Sequence, residues 1–234
     1  MKKLIQNVHV VTMDCYGREY VDGYVAIDGD TILYIGCKEG IPSGFKADRT
    51  LDGKGKLALP GFVNAHTHSA MSLFRGYAND IPLIEWLSNA IWPLEDRMKP
   101  KDAYWLSMLS IAEMIRSGIT TFADMYMFMD QTAKAVADSG IRAVLARGLQ
   151  GPDANSDERL LENRRLWEQW HGQADGRIKV MVGPHALYTC SSDYLIKCMD
   201  LAQELGVGLH IHIAETSSEV KECNAKYGFS PVQY

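Results

Sequence analysis

Long apolar runs are missing from this chain. No stretch approaches the roughly 20 apolar residues of a membrane-spanning helix, so no bilayer span is expected. Residues 1–11 place two lysines ahead of apolar residues, but Gln6, Asn7 and His9 interrupt them, which makes a poor secretory core. Concentrated positive charge is also missing. The net charge is −5 with no basic run, which argues against a nucleic-acid groove or an anionic membrane surface as partner. Cysteine is sparse: Cys15, Cys37, Cys190, Cys198 and Cys223 are odd in number and lack Cys-x-x-Cys spacing. That excludes a disulfide framework or a zinc knuckle and predicts reduced, mostly buried thiols in a cytoplasmic protein. Solenoid repeats and low-complexity tracts are absent too. What remains, 47% hydrophobic and 23% charged, is an ordinary globular composition.

Against that plain background, Pro60-Gly61-Phe62-Val63-Asn64-Ala65-His66-Thr67-His68 stands out. An apolar run ends in two histidines one residue apart. Alternate residues of a strand project to the same side, so His66 and His68 can aim both imidazoles at one point. A strand end of this kind presents two nitrogens to a borderline cation such as zinc. A second apolar run, Gly206-Val207-Gly208-Leu209-His210-Ile211-His212-Ile213-Ala214-Glu215, closes on another His-x-His followed by a carboxylate. His212 is the expected third ligand. His210, deeper in the strand, is expected to face inward as a neighbour of the ligands or as core. Three nitrogens with an open position can bind a water and make it acidic near neutrality, and Glu215 is placed to relay its protons.

Residues 1–56 read as a small β domain, with strands at 4–13, 20–28 and 31–35 and a tight Asp28-Gly29-Asp30 hairpin. From 57 on, strands alternate with helices, as in a parallel sheet wrapped by helices. The strands are 57–63, 120–124, 141–147, 178–183 and 207–213; the helices are 101–117, closed by Gly118, then 131–139, 158–170 and 192–205, the last opened by a serine cap and stopped by Gly206. Every candidate ligand or acid falls at the carboxyl end of a strand, where (β/α) barrels keep their sites. Segment 69–98 is long for a connector and carries Met71, Leu73, Phe74, Tyr77, Trp86 and Trp92. It reads as a partly helical cover with Trp86 or Phe74 against a ligand, while Trp92 is expected to pack helices onto the sheet.

The stretch 60–68 together with 210–215 resembles the amidohydrolase superfamily, closest to its 5-methylthioadenosine/S-adenosylhomocysteine deaminase branch. The resemblance runs along essentially the whole chain, through Phe74-Arg75-Gly76, Trp92-Pro93-Leu94-Glu95, Gly118-Ile119-Thr120-Thr121-Phe122-Ala123-Asp124-Met125 and Gly183-Pro184-His185. It implies an α/β fold: an eight-stranded TIM-type barrel, of which about the first five strands are present at 57–234, and a small β-sandwich-like domain at 1–56 that carboxyl-terminal strands complete. A full barrel takes eight strands and about 250 residues. The family's later histidine and its metal-binding aspartate have no counterpart here.

The resemblance further implies one divalent metal per subunit on His66, His68 and His212, zinc first and iron or manganese as alternatives. A carboxylated lysine of two-metal members would sit on the fourth strand, whose only lysine, Lys179, lies near its start. The implied reaction is hydrolytic deamination of an adenosine-type nucleoside (S-adenosylhomocysteine, 5-methylthioadenosine or adenosine) to the inosyl product and ammonia, with Glu215 as acid–base. His185 is then a substrate contact, and Glu95 accepts ribose hydroxyls, although beside Asp96 and Arg97 it also reads as a solvated charge. Arg147 and Arg159 can grip the carboxylate of a homocysteine tail in two-point fashion; Asp157 and Glu158 offer Arg159 an ordinary surface pairing instead. The partner is thus a small nucleoside, with no nucleic acid or membrane and with room for a homo-oligomer. Rival expectations are a guanine or cytosine deaminase, a triazine-type chlorohydrolase, or an inactive metal-binding fragment. Residues 1–234 alone are expected to be unstable or inactive, since an open barrel leaves unpaired strand edges.

Overall fold

The apolar–polar alternation at the start of the chain yields five strands in the computed structural model, which describes residues 1–234. They are β1 (Lys2–Val11), β2 (Glu19–Asp28), β3 (Thr31–Gly36), β4 (Arg49–Asp52) and β5 (Leu57–Ala58). β1 runs antiparallel to β2 and parallel to β4 and β5, and β2 carries β3 on its far side. The tight hairpin forms as read: Asp28 pairs with Thr31, and Gly29 sits at φ 61, a conformation glycine adopts without steric cost. Val8, Val10 and Val25 form the small core of this sheet. All five strands belong to one sheet, and β4 was not anticipated.

Two compact units divide the chain, Met1–Gly61 and Phe62–Tyr234. The boundary splits the strand expected at 57–63. Leu57–Ala58 joins β1, whereas β6 (Phe62–Thr67) opens the second unit and pairs with a different sheet. Pro60, which has no N–H to give a ladder, lies between them.

The second unit alternates helices with parallel strands. After β6 come a 3₁₀ helix (Ser69–Phe74), α1 (Leu83–Trp86), a π turn (Leu87–Ile91), α2 (Trp92–Glu95) and α3 (Pro100–Arg116). Then follow β7 (Ile119–Tyr126), α4 (Met129–Ser139), β8 (Arg142–Leu149), α5 (Ser156–Trp170), β9 (Ile178–Val180), β10 (Gly183–Pro184), α6 (Ser192–Leu205) and α7 (Ser217–Tyr227). β6, β7 and β8 pair in parallel, and β9 and β10, two parts of one stave, both pair with β8. The fifth strand, expected over 207–213, is reduced to two parallel bridges, Val182↔Leu209 and Ala186↔His212. Helix α3 starts on Pro100, with the Asp102 carboxylate accepting the Lys99 N–H at 2.9 Å, and Gly118 follows its end at φ 82. Ser191 caps α6 by accepting the Tyr194 N–H, and Gly206 ends it at φ 65.

Phe122, Leu145, Ile178 and Val180, from three neighbouring staves, are fully buried with Ile111, Ala133 and Val136 of the covering helices. Each large apolar side chain so buried contributes about 1.5–3 kcal/mol before entropy is counted. Gly183 permits a close approach, because a Cβ there would meet the Arg147 carbonyl oxygen at 2.6 Å. All five cysteines are unpaired, and three are buried. No helix is long and apolar enough to cross a membrane.

Candidate active site

Strand alternation delivers His66 and, one residue past β6, His68 to the carboxyl end of the first stave. The bridge at Ala186 delivers His212 to the same end of the fifth. Five staves of a flat sheet would hold these residues roughly 19 Å apart. Instead, the His66 Nε2 lies 3.3 Å from His68 Nε2 and 3.1 Å from His212 Nε2, so the sheet curls until its two ends face one another.

The hydrogen bonds on the far sides of the rings fix what those contacts are. His68 Nδ1 lies 2.6 Å from the Met125 carbonyl oxygen, and His212 Nδ1 lies 3.0 Å from that of His185. A carbonyl only accepts, so both Nδ1 atoms carry a proton, and in the neutral rings both Nε2 atoms are bare lone pairs. His66 Nε2 has at most one proton and faces two such lone pairs. At least one close nitrogen pair is therefore left without a proton between its members. A shared cation removes that conflict, and the three donors lie within 4.8 Å of one another. Burial holds the His68 imidazole down to about pKa 4, which keeps it neutral and ready to donate electrons at neutral pH. The residues fit a divalent metal with nitrogen preference. His210 stands behind them, half-buried, with its Nδ1 enclosed and without a hydrogen-bond partner.

The cavity beside the triad is lined by Glu95, Arg147, His185, His212 and Glu215, with His68 at its floor and Trp86 and Trp92 in its cover. Glu215 accepts from the Tyr188 hydroxyl at 2.7 Å. Burial, reinforced by that carboxylate, pushes the Tyr188 phenol well up, so it remains a neutral donor. The loop before it is tense: Ala214 has φ 57, a left-handed conformation that costs a side-chain-bearing residue about 1–3 kcal/mol. It is held by the buried Glu219 carboxylate, which accepts the N–H groups of Ala214 (3.3 Å) and Glu215 (2.7 Å).

His185 Nδ1 bonds the Thr189 hydroxyl at 2.9 Å, and burial, then the neighbouring His212 and His68, lowers its imidazole to about pKa 4. Glu95 accepts from the Tyr126 hydroxyl at 2.5 Å. Burial pushes the Glu95 carboxyl up, with the Tyr126 hydrogen bond pulling the other way. It is a held, half-buried group rather than a free surface charge. Arg147 lines the cavity, but its Nε pairs with Glu162 at 2.6 Å and its guanidinium also donates to the Gly148 carbonyl.

Arg159 is not brought to the cavity. Its guanidinium donates to Asp153 (2.7 and 2.8 Å) and to the Gln150 carbonyl (2.9 Å). Two aromatic expectations also change. Trp92, expected to pack helices, lines the cavity, and Phe74, a candidate ligand contact, is buried in the core. The cavity, about 120 Å³, opens to solvent and is bounded on one side by the cover residues Leu83, Trp86, Leu87, Trp92 and Glu95. That cover contains the π turn, a distortion frequent at functional sites.

Tyr126, Tyr188, Glu219 and the acceptor carbonyls of Met125 and His185 were not anticipated. The pattern Thr216-x-x-Glu219 is a readable helix-start signal and would have flagged Glu219; the tyrosines carry no such mark.

Known proteins resemble the chain as follows. The profile of the Amidohydrolase family matches residues 57–231. A 5-methylthioadenosine/S-adenosylhomocysteine deaminase from Pelotomaculum thermopropionicum is 50% identical over 231 residues, covering 99% of this chain and 53% of that protein. One of the same name from Thermoanaerobacter pseudethanolicus is 51% identical over 236 residues, covering 100% and 54%. Among solved structures, a zinc-bound adenosine deaminase from Xanthomonas campestris superposes with a TM-score of 0.90 at 32% identity, covering 99% of this chain and 53% of that one. The chain thus spans about half the length of the curated relatives it matches.

Proposed function

The chain belongs to the amidohydrolase family, and from that premise we propose that its site hydrolytically deaminates an adenosine-type nucleoside, 5-methylthioadenosine or S-adenosylhomocysteine. Water adds at the ring carbon bearing the amine, ammonia leaves, and the inosyl product remains. The observation that carries the reading is the meeting of the Nε2 atoms of His66, His68 and His212, with the tautomers of His68 and His212 locked by carbonyls, beside Glu215. A divalent ion held by these three residues, zinc for preference, supplies the Lewis acidity that makes water a nucleophile at neutral pH.

The chain's own residues do the rest. Glu215 moves protons, first to the ring nitrogen beside the attacked carbon and then to the departing amine, while the Tyr188 hydroxyl keeps its carboxylate oriented. Neutral His185 is a hydrogen-bonding partner for the ring. Glu95, a pure acceptor held at one oxygen by Tyr126, takes ribose hydroxyls with the other. Arg147 is the remaining candidate for a substrate carboxylate, in exchange for Glu162. Arg159 pairs with Asp153 away from the cavity, which weakens the case for a tail-gripping pair and leaves the uncharged methylthio substrate on equal footing. Five unpaired thiols fit a cytoplasmic setting. We also take the five parallel staves as the first part of a TIM-type barrel.

Turnover by metal-loaded protein, read as ammonia release from adenosine derivatives and guanine and as chloride release from chlorotriazines, tests this reading. Turnover confined to non-nucleosides overturns it. The variant Glu215→Gln should lose about 10²–10⁴-fold in kcat with its metal content unchanged.

A further inference from the structure

Asp124 on β7 is completely buried, yet its partners are hydroxyl and amide donors rather than a cation. Burying a carboxylate this way is costly, and burial pushes its carboxyl up to about pKa 6. The sheet itself has no need of a charge at this position. What Asp124 does hold is Ser69, the residue after His68. The Ser69 N–H lies 3.1 and 3.2 Å from its two oxygens, and the Ser69 hydroxyl donates to one of them.

The neighbouring contacts extend the grip. Thr67 Oγ1 donates to the Ala123 carbonyl at 2.7 Å, and His68 Nδ1 to the Met125 carbonyl at 2.6 Å. Three consecutive residues of β7 thus hold three consecutive residues around the ligand, at the point where the chain turns out of β6 into the 3₁₀ helix. Ser110 of α3 fixes the Ser69 carbonyl at 2.8 Å. A hydroxyl chain then runs from Ser69 to Ser107 (2.9 Å) and on to Thr132 of α4 (3.1 Å).

We propose that Asp124 is a positioning residue for His68: by fixing Ser69 it sets the aim of the His68 imidazole and thereby the affinity of the triad for its cation. This rests on the metal-site reading above. Groups that orient metal ligands typically govern affinity about 10- to 100-fold when removed.

The test is zinc affinity, measured by competition with a chromophoric chelator on the metal-stripped protein as its gene encodes it, with the absorption spectrum of the cobalt-loaded form as a second readout. Asp124→Asn keeps the shape but turns a donor toward Ser69. It should weaken zinc by about 10- to 100-fold and shift the cobalt bands while circular dichroism stays native. Thr132→Ala, at the far end of the hydroxyl chain, should lower the melting temperature and leave zinc affinity unchanged. A folded Asp124→Asn protein with wild-type affinity and spectrum overturns the proposal. Should that variant fail to fold, Ser69→Ala decides: weaker zinc is expected, and unchanged affinity overturns. Wild-type protein that binds no zinc removes the metal-site reading itself, and is seen before any variant is made.

Discussion

At the scale of single residues, the convergence of three histidines was legible and what supports them was not. His66, His68 and His212 follow from strand alternation, which depends only on spacing. What locks the tautomers of His68 and His212 is a pair of backbone carbonyls, at Met125 and His185, and a carbonyl has no residue identity to read. Glu95 shows the same limit. Its role could be argued for a diol, but its state depends on burial and on Tyr126. This has a consequence for pH. A carboxyl pushed up by burial gains its proton earlier than an ordinary glutamate as pH falls, and the protonated form has lost part of its accepting capacity. KM for a nucleoside should therefore rise on the acid side of neutrality. Tyr126→Phe removes the donor that favours the charged form, so the KM rise should begin at higher pH. Glu95→Gln should have a high KM that no longer changes with pH over this range. A KM–pH profile of Tyr126→Phe identical to wild type would show that Glu95 does not contact the substrate.

At the scale of elements, helices were read closely because their ends carry chemistry in the sequence. The span 101–117 became Pro100–Arg116, and Ser191 and Gly206 bracket α6. The stave at 207–213 was harder. Its apolar alternation is real, but it contacts its neighbour only around Val182 and Ala186, so long-range pairing rather than local pattern decides its extent. The element that follows, α7, ties the fold to the chemistry. Thr216 accepts the Glu219 N–H at 3.1 Å, and Glu219 reaches back to the N–H groups of Ala214 and Glu215. The two halves of this cap should separate on mutation. Thr216→Ala should cost about 1 kcal/mol in chemical denaturation with little change in kcat. Glu219→Ala strands two N–H groups, so it should cost about 2–3 kcal/mol and lower kcat as well, because the strained turn at Ala214 relaxes and Glu215 loses its aim. An unchanged kcat in Glu219→Ala would mean that Glu215 is positioned by Tyr188 alone.

At the scale of the second unit as a whole, the curled sheet ends on two staves with apolar side chains facing outward. On β6, at the end of the strand order, Phe62 and Val63 are 54% and 67% exposed, and at the other end Leu209 and Ile213 are 38% and 43% exposed. Strand count alone made a sheet with two end strands foreseeable, because each end strand lacks one neighbour. Which side chains would be left uncovered required the register. An edge that is apolar and unpaired templates association, and a lysine placed on it opposes that association. A polypeptide of residues 1–234 should accordingly self-associate in sedimentation at micromolar concentration, and Val63→Lys should shift it toward monomer. In a longer product whose further staves cover β6, the same lysine would be buried without a partner, so Val63→Lys should there lower the melting temperature instead. The two backgrounds must respond with opposite sign. A monodisperse 1–234 polypeptide, indifferent to Val63→Lys, would show that this edge is already satisfied and that the apolar side chains on β6 await no further stave.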